Sequence, residues 1–270
     1  MAEPLSASSG WTVSHWFYRL DRARWRDVPE AARAVAAEET RAWLTAVGTE
    51  EGMQLIPFGL VGKGDLGIMA VHPDLRRHQQ LGQEIVSRGI GPWLLPVDTF
   101  LSLSEASEYM SDEGDWRRML IEEQKVDPAS PEFATRLEVM RARMAKYADA
   151  RLHPRLPDAY SVLCFYPMAK ARSDGRNWYT LPFEERKRYM QGHGEAGRRH
   201  ATRVTQLITT ATGIDDWEWG VTLFANDLKA VRDVVYEMRF DPGSALYGVF
   251  GSFYIGLRFA PDELAATLRL

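Results

Sequence analysis

The spacing of apolar positions changes period several times along this chain, and each change marks an element. Trp11 to Leu20 is a β-branched and aromatic run that predicts a strand. Val28 to Val47, opened by Pro29 and Glu30 and rich in Ala, predicts a helix. Gly52 to Val61 and Leu66 to Val71 are short apolar runs separated by Gly62-Lys63-Gly64-Asp65, which reads as two strands joined by a hairpin turn. Leu75 to Arg88 is helical in pattern, and Trp93 to Ser104 returns to a strand. The order is βαββαβ.

The same order recurs further on. Tyr160 to Lys170 predicts a strand, and Pro182 to about His200 a helix with Glu184 and Glu185 in its first turn, where the helix dipole favours acids. Arg203 to Thr212 and Trp217 to Phe224 predict a hairpin, Asp227 caps a helix running to about Met238, and Tyr247 to Phe259 predicts a last strand. The repetition is one of elements rather than of letters. It predicts an α+β chain of two ferredoxin-like halves, 1–109 and 159–270, merged into a dimeric α+β barrel-type subunit. Between them, 110–158 is charged and interrupted by Asp127-Pro128 and Pro154-Arg155-Leu156-Pro157, as in a partly helical connector.

At 270 residues with 45% hydrophobic and 26% charged positions, the chain has the composition of an ordinary globular protein. Its 33 basic and 37 acidic residues leave a net charge of -4, so no global basic field draws nucleic acid or an anionic membrane. No run of 18 uncharged apolar residues occurs, and Met1 to Gly10 lacks the basic-then-apolar order of a signal peptide. A cytoplasmic protein without a membrane span is expected. The single cysteine, Cys164, excludes an internal disulfide or a Cys-rich metal site, so redox chemistry would have to come from a cofactor.

Candidate chemistry concentrates in the second half. Alternation along Ser161 to Lys170 puts Cys164, Tyr166, Met168 and Lys170 on one face. A phenol and an ammonium there suit a redox-active group and an anion, while a strand fraying at Pro167 with Lys170 snorkelling explains the same spacing. In the helix from Pro182, spacings of three and four put His193 on an apolar stripe with Met190 and Gly197. Such a histidine is either a satisfied core residue or a ligand. Gly192, Gly194 and Gly197 surround it, each costing roughly 1 kcal/mol relative to Ala inside a helix, as though something large approached the backbone. A lone imidazole suits an axial haem ligand better than a closed zinc site. Gln206 interrupts the apolar set of Val204 and Ile208, either as an edge amide or as a donor above a cofactor. Arg239 and Ser244 could hold a carboxylate, although an arginine at a helix end also answers the dipole. Gly59 to Gly64 lacks the ending of a phosphate loop, and His15, His72, His78 and His153 are scattered without ligand spacing.

Taken together, Phe165-Tyr-Pro-Met-Ala-Lys170, Asn177-Trp-Tyr179, His193-Gly with Gly197-Arg198, Asp215 to Phe224 and Tyr236-Glu-Met-Arg-Phe-Asp241 resemble the chlorite dismutase-like superfamily. Within it they are most similar to the coproheme decarboxylases, over about residues 150–260. The resemblance implies His193 as the proximal iron ligand, Tyr166 as the oxidising radical, and Lys170 near the reacting propionate. It implies Gln206 as the distal glutamine, Met168 beside the porphyrin, and Arg239 and Ser244 as propionate holders. Arg151 resembles another such arginine, one residue out of register. The implied reaction uses hydrogen peroxide to convert two propionates of coproheme III to vinyls, giving haem b, with the iron-porphyrin both substrate and redox centre. A homopentamer and a transient contact with the coproporphyrin ferrochelatase are also implied. Two other readings stay open: a chlorite dismutase, for which a distal arginine rather than Gln206 is expected, and a haem-binding or delivery protein without its own reaction.

Overall fold

The computed structural model describes residues 5–7 and 9–270, so part of the Met1 to Gly10 segment lies outside the described residues. The first half runs β1 (Thr12–Leu20), α1 (Arg22–Arg26), α2 (Glu30–Gly48), β2 (Gln54–Leu60), β3 (Leu66–His72), α3 (Leu75–Ser87) and β4 (Leu94–Ser104). Then come α4 (Glu113–Arg118) and α5 (Pro131–Leu152). The second half has β5 (Val162–Lys170), the small hairpin β6 (Arg172–Ser173) and β7 (Arg176–Asn177), α6 (Phe183–Arg199), β8 (Val204–Thr210), β9 (Trp219–Ala225) and α7 (Leu228–Met238). It ends with α8 (Pro242–Tyr247), β10 (Gly248–Phe250), β11 (Tyr254–Arg258) and α9 (Leu264–Leu268).

Local chemistry sets many of these boundaries. Asp74 and Asp227 cap α3 and α7 by accepting from Arg76 and Lys229 backbone N–H groups, and Ser130 caps α5 with Pro131 in the first turn. The β2–β3 turn has Gly62 and Lys63 both at positive φ, 74° and 60°, a conformation glycine adopts without steric cost. The last predicted strand is divided. Tyr247 ends α8, and Gly251 to Phe253 separate β10 from β11. A Cβ on Gly251 would lie 2.7 Å from Pro167 and 2.8 Å from Trp217, so the chain bends where the β5 proline offers no N–H to pair. A side chain there would have no room.

Within each half the strands are antiparallel in the ferredoxin-like order, β2-β3-β1-β4 and β8-β9-β5-β11. β4 meets β8 at Leu103–Thr210 and Ser104–Thr209, and β11 meets β2 from Gly256–Leu60 to Arg258–Phe58. With β5 also paired to β9, the sheet closes into a barrel, and β10 extends the far end of β5. Alternation then sorts side chains between two environments. Phe17, Phe58, Phe100, Phe165, Phe224 and their neighbours fill the interior. On the outer face, α2, α3 and α9 cover the first half around Trp16, Trp43 and Leu81, whereas α7 covers Cys164, Val221 and Leu223 in the second.

His15 belongs to the barrel interior. It is 1% exposed, stacks on Phe165 at 4.1 Å and holds Thr222 Oγ1 through Nε2 at 3.0 Å, while its Nδ1 has no partner among the described residues. Burial pushes its pKa down to about 3. The unfolded chain therefore takes up this proton near pH 6.5 and the folded chain only near 3, so stability is lost as pH falls between those values. His15→Leu is expected to remove about 1.4 kcal/mol per pH unit from the acid slope of urea unfolding between pH 6 and 4. An unchanged slope would contradict a neutral buried imidazole.

Candidate functional site

The outer face of the second half carries the unusual chemistry. On β5, Cys164 and Tyr166 lie with Met168 in the outer layer while Leu163 and Phe165 point into the barrel, as the alternation requires. Tyr166 is 5% exposed, stacks on Phe253 at 4.4 Å and approaches Phe250 at 6.0 Å. Its hydroxyl makes no hydrogen bond among the described residues, and burial pushes the phenol well above its ordinary range, so it stays protonated.

Lys170 ends the same strand and is buried. Its backbone N–H donates to Glu218 Oε2 at 2.7 Å, its Nζ donates to the Gly243 carbonyl at 3.3 Å, and the ammonium lies 4.2 Å over the Trp178 ring. Burial lowers its pKa to about 8, opposed by the carboxylates of Asp241 and Glu218. Glu218 is itself buried, with Arg172 at 3.7 Å.

Across from this strand stands α6, whose packing is mainly on α7 and α8 rather than on the sheet. His193 Nδ1 meets Asp241 Oδ2 at 3.2 Å and Ser244 Oγ at 3.3 Å. Asp241 caps α8, its Oδ2 accepting the Ser244 N–H at 3.0 Å. Burial alone would raise this carboxyl, but the bonds to His193 and Ser244 outweigh it and hold it below the ordinary range. No hydrogen bond engages Nε2 among the described residues, and an imidazole that gives Nδ1–H to this carboxylate would present the Nε2 lone pair to a metal. This is the carboxylate–histidine arrangement that orients an imidazole toward a metal.

The remaining positions border the same layer. Gln206 on β8 and Met238 come within 3.3 and 3.2 Å of where a Cβ on Gly197 would sit, so that glycine is explained by protein packing. Gly192 and Gly194 are less crowded, at 3.7 Å from Asp241 and 3.3 Å from Arg198. Arg239 follows α7, exposed, with its guanidinium 5.2 Å over Phe250 and its charge felt at Tyr166. Arg151, on α5, donates to the Ile208 carbonyl of β8 at 3.4 Å. The structure thus puts Tyr166, Met168 and Lys170 on one strand face, with Arg239 near Tyr166, links Lys170 through Gly243 and Asp241 to the cluster of His193 and Ser244, and leaves Gln206 near Gly197 and Arg151 at the Ile208 carbonyl. Ser244, however, is buried against His193, where its hydroxyl serves the imidazole.

Several residues here escaped the sequence reading. Asp241 and Glu218 stood inside recognised motifs without a role, and the Asp-Pro step before α8 is a cap signal that could have flagged the former. Glu105, at the end of β4, accepts the Trp219 Nε1–H at 3.0 Å. Burial raises its carboxyl, against the opposing influence of Trp219, Thr210 and Arg151. Nothing in its spacing announced this.

The donor set fits an iron-porphyrin. Among the described residues no three His, Cys, Asp or Glu side chains converge on a possible metal position, so a metal at His193 would take its other ligands from a macrocycle rather than the chain. Aromatic walls, a free Nε2 and cations at Lys170, Arg239 and Arg151 suit a planar, multiply anionic ligand. No helix among the described residues is long and apolar enough to cross a membrane.

Comparison with known proteins adds a lineage. A family model described as chlorite dismutase matches residues 32–259. A candidate heme-binding protein of Natronomonas pharaonis is 36% identical over 270 residues, covering 98% of this chain and 42% of that protein. One of Halobacterium salinarum is 33% identical over 273 residues, covering 99% and 51%. The chain spans about half the length of these curated relatives. Among solved structures, a heme-binding protein from Thermus thermophilus is 33% identical with a TM-score of 0.79 over 100% of both chains. A chlorite dismutase variant from Candidatus Nitrospira defluvii shares the fold, with a TM-score of 0.72 at 16% identity over 98% of this chain and 97% of that one.

Proposed function

Because this chain belongs to the chlorite dismutase family, we propose that it binds iron-porphyrin at His193 and catalyses hydrogen-peroxide-dependent decarboxylation of coproheme III to haem b. The observation that carries the reading is the buried pair Tyr166 and Lys170 on one face of β5, in the same layer as the carboxylate-held His193. A carrier has no use for a buried phenol and a buried ammonium on the same face of one strand. A chlorite dismutase needs a cation to hold its oxyanion, and the amide of Gln206 supplies none.

Each round removes one carboxyl group. A propionate, one hydrogen peroxide and one proton become a vinyl, carbon dioxide and two waters, so the site must deliver one net proton per round. When bound, the iron of the substrate supplies the activation of peroxide. Around it, His193 would fix the macrocycle through Nε2, oriented by Asp241. Tyr166, held protonated by its burial, would relay oxidising equivalents to the propionate side chain. Lys170 would pair with the propionate carboxylate and hold an exchangeable proton, and Arg239 and Arg151 would hold propionates at the rim.

The test is to add ferric coproporphyrin III to the purified protein, titrate hydrogen peroxide and follow products by mass spectrometry. Two successive losses of carbon dioxide ending at haem b are expected; tight binding with bleaching alone would favour a carrier. A second expectation concerns pH. With the Lys170 pKa held at about 8, the ammonium is lost as pH rises through that value, so kcat/KM should fall on the alkaline side with a midpoint near 8. Lys170→Met should lower the rate and flatten that limb. A wild-type profile level to pH 9.5 would remove Lys170 from the reaction.

A further inference from the structure

A second cleft lies where the two halves join. It occupies about 470 Å³ where α2 ends, β2 meets β11, and the chain turns from Arg258 to Glu263. Leu55, Pro57 and Phe259 provide an apolar wall, while Thr45, Thr49 and Ser161 contribute hydroxyls. None of the residues proposed for the porphyrin takes part.

Two features set it apart from an incidental gap. Arg258 is fixed from one side only: its Nη1 donates to the carbonyls of Asp158 at 2.7 Å and Pro157 at 3.5 Å, and its guanidinium lies 5.0 Å over the Tyr160 ring. No hydrogen bond engages its Nε or Nη2 among the described residues, and no acidic side chain pairs with it there, since Glu263 caps the Ala260 N–H at 2.8 Å. Tyr160 is 7% exposed and lines the cleft through the ring on which the guanidinium rests, while its hydroxyl is closed to solvent and has no hydrogen-bond partner among the described residues. A held cation with spare donors is an anion receptor.

We propose that this cleft binds a small organic carboxylate with a flat apolar body, its carboxylate on the free donors of Arg258, its body against Leu55, Pro57 and Phe259. The volume lies within the range of small-molecule sites. Charge and shape are both required: the guanidinium selects the anion, and the apolar wall rejects inorganic ions.

The probe is 2-naphthoate, titrated calorimetrically into the full chain, with 2-naphthamide as its uncharged counterpart. Binding of the acid should be about tenfold or more tighter than that of the amide, the worth of a charge-assisted bond. Arg258→Gln should abolish that preference. Gly48 lines the cleft with no atom within 4 Å of an added Cβ, so Gly48→Leu should block both probes without disturbing α2. Urea unfolding of each variant confirms an intact fold independently of the proposed porphyrin reading. Absence of naphthoate binding, equal binding of the amide, or undiminished binding to Gly48→Leu would each overturn the proposal.

Discussion

Tyr166→Phe should reduce peroxide-dependent decarboxylation of coproheme by roughly 10²–10⁴-fold, the range of a group acting directly in the chemical step, while porphyrin affinity stays nearly unchanged. The structure makes this substitution unusually clean. The ring's stack on Phe253 survives, and because the hydroxyl makes no hydrogen bond among the described residues, its removal orphans no partner there. Product analysis by mass spectrometry and a binding titration read the two quantities separately. Full activity in the variant would show that oxidising equivalents bypass Tyr166. Vigorous dioxygen release from chlorite by the wild type would move the reading to chlorite dismutation.

Phe165→Ala should have the largest effect on stability, about 3–5 kcal/mol in urea unfolding. Phe165 is 1% exposed and stands at the centre of the barrel, with ring centroids of His15, Phe100 and Phe17 at 4.1, 5.2 and 5.5 Å. Those rings come from β1 and β4, so the gap cannot close by a shift of one strand. A loss of that size consumes much of the roughly 5–15 kcal/mol typical of a domain. Phe165→Leu, which keeps most of the volume, should lose far less; equal losses would point to ring stacking rather than cavity formation.

The adjacency of these two residues shows what was legible in the chain and why. Period-2 alternation along Val162 to Lys170 is enough to separate Phe165 from Tyr166, because a strand puts neighbours on opposite faces. The helix predicted from Pro182 to about His200 occupies Phe183–Arg199, and the double βαββαβ order is reproduced in the strand orders of the two halves. Short-range signals fail where the outcome depends on distant packing. The final strand breaks because Gly251 meets Pro167 and Trp217, 84 and 34 residues earlier. His193 and Asp241, 48 residues apart, meet only because α8 turns back onto α6. For the same reason the contact of Ser244 with His193 could not be read from the chain.

Closure of the sheet rests on two short seams, Leu103–Ser104 against Thr209–Thr210 and Phe58–Leu60 against Gly256–Arg258, whereas β1 pairs along nearly its whole length with both neighbours. The barrel is therefore weakest where its halves join. Backbone amides at the seams should exchange with deuterium before those of β1 and β3, through openings that part the halves while each keeps its own sheet.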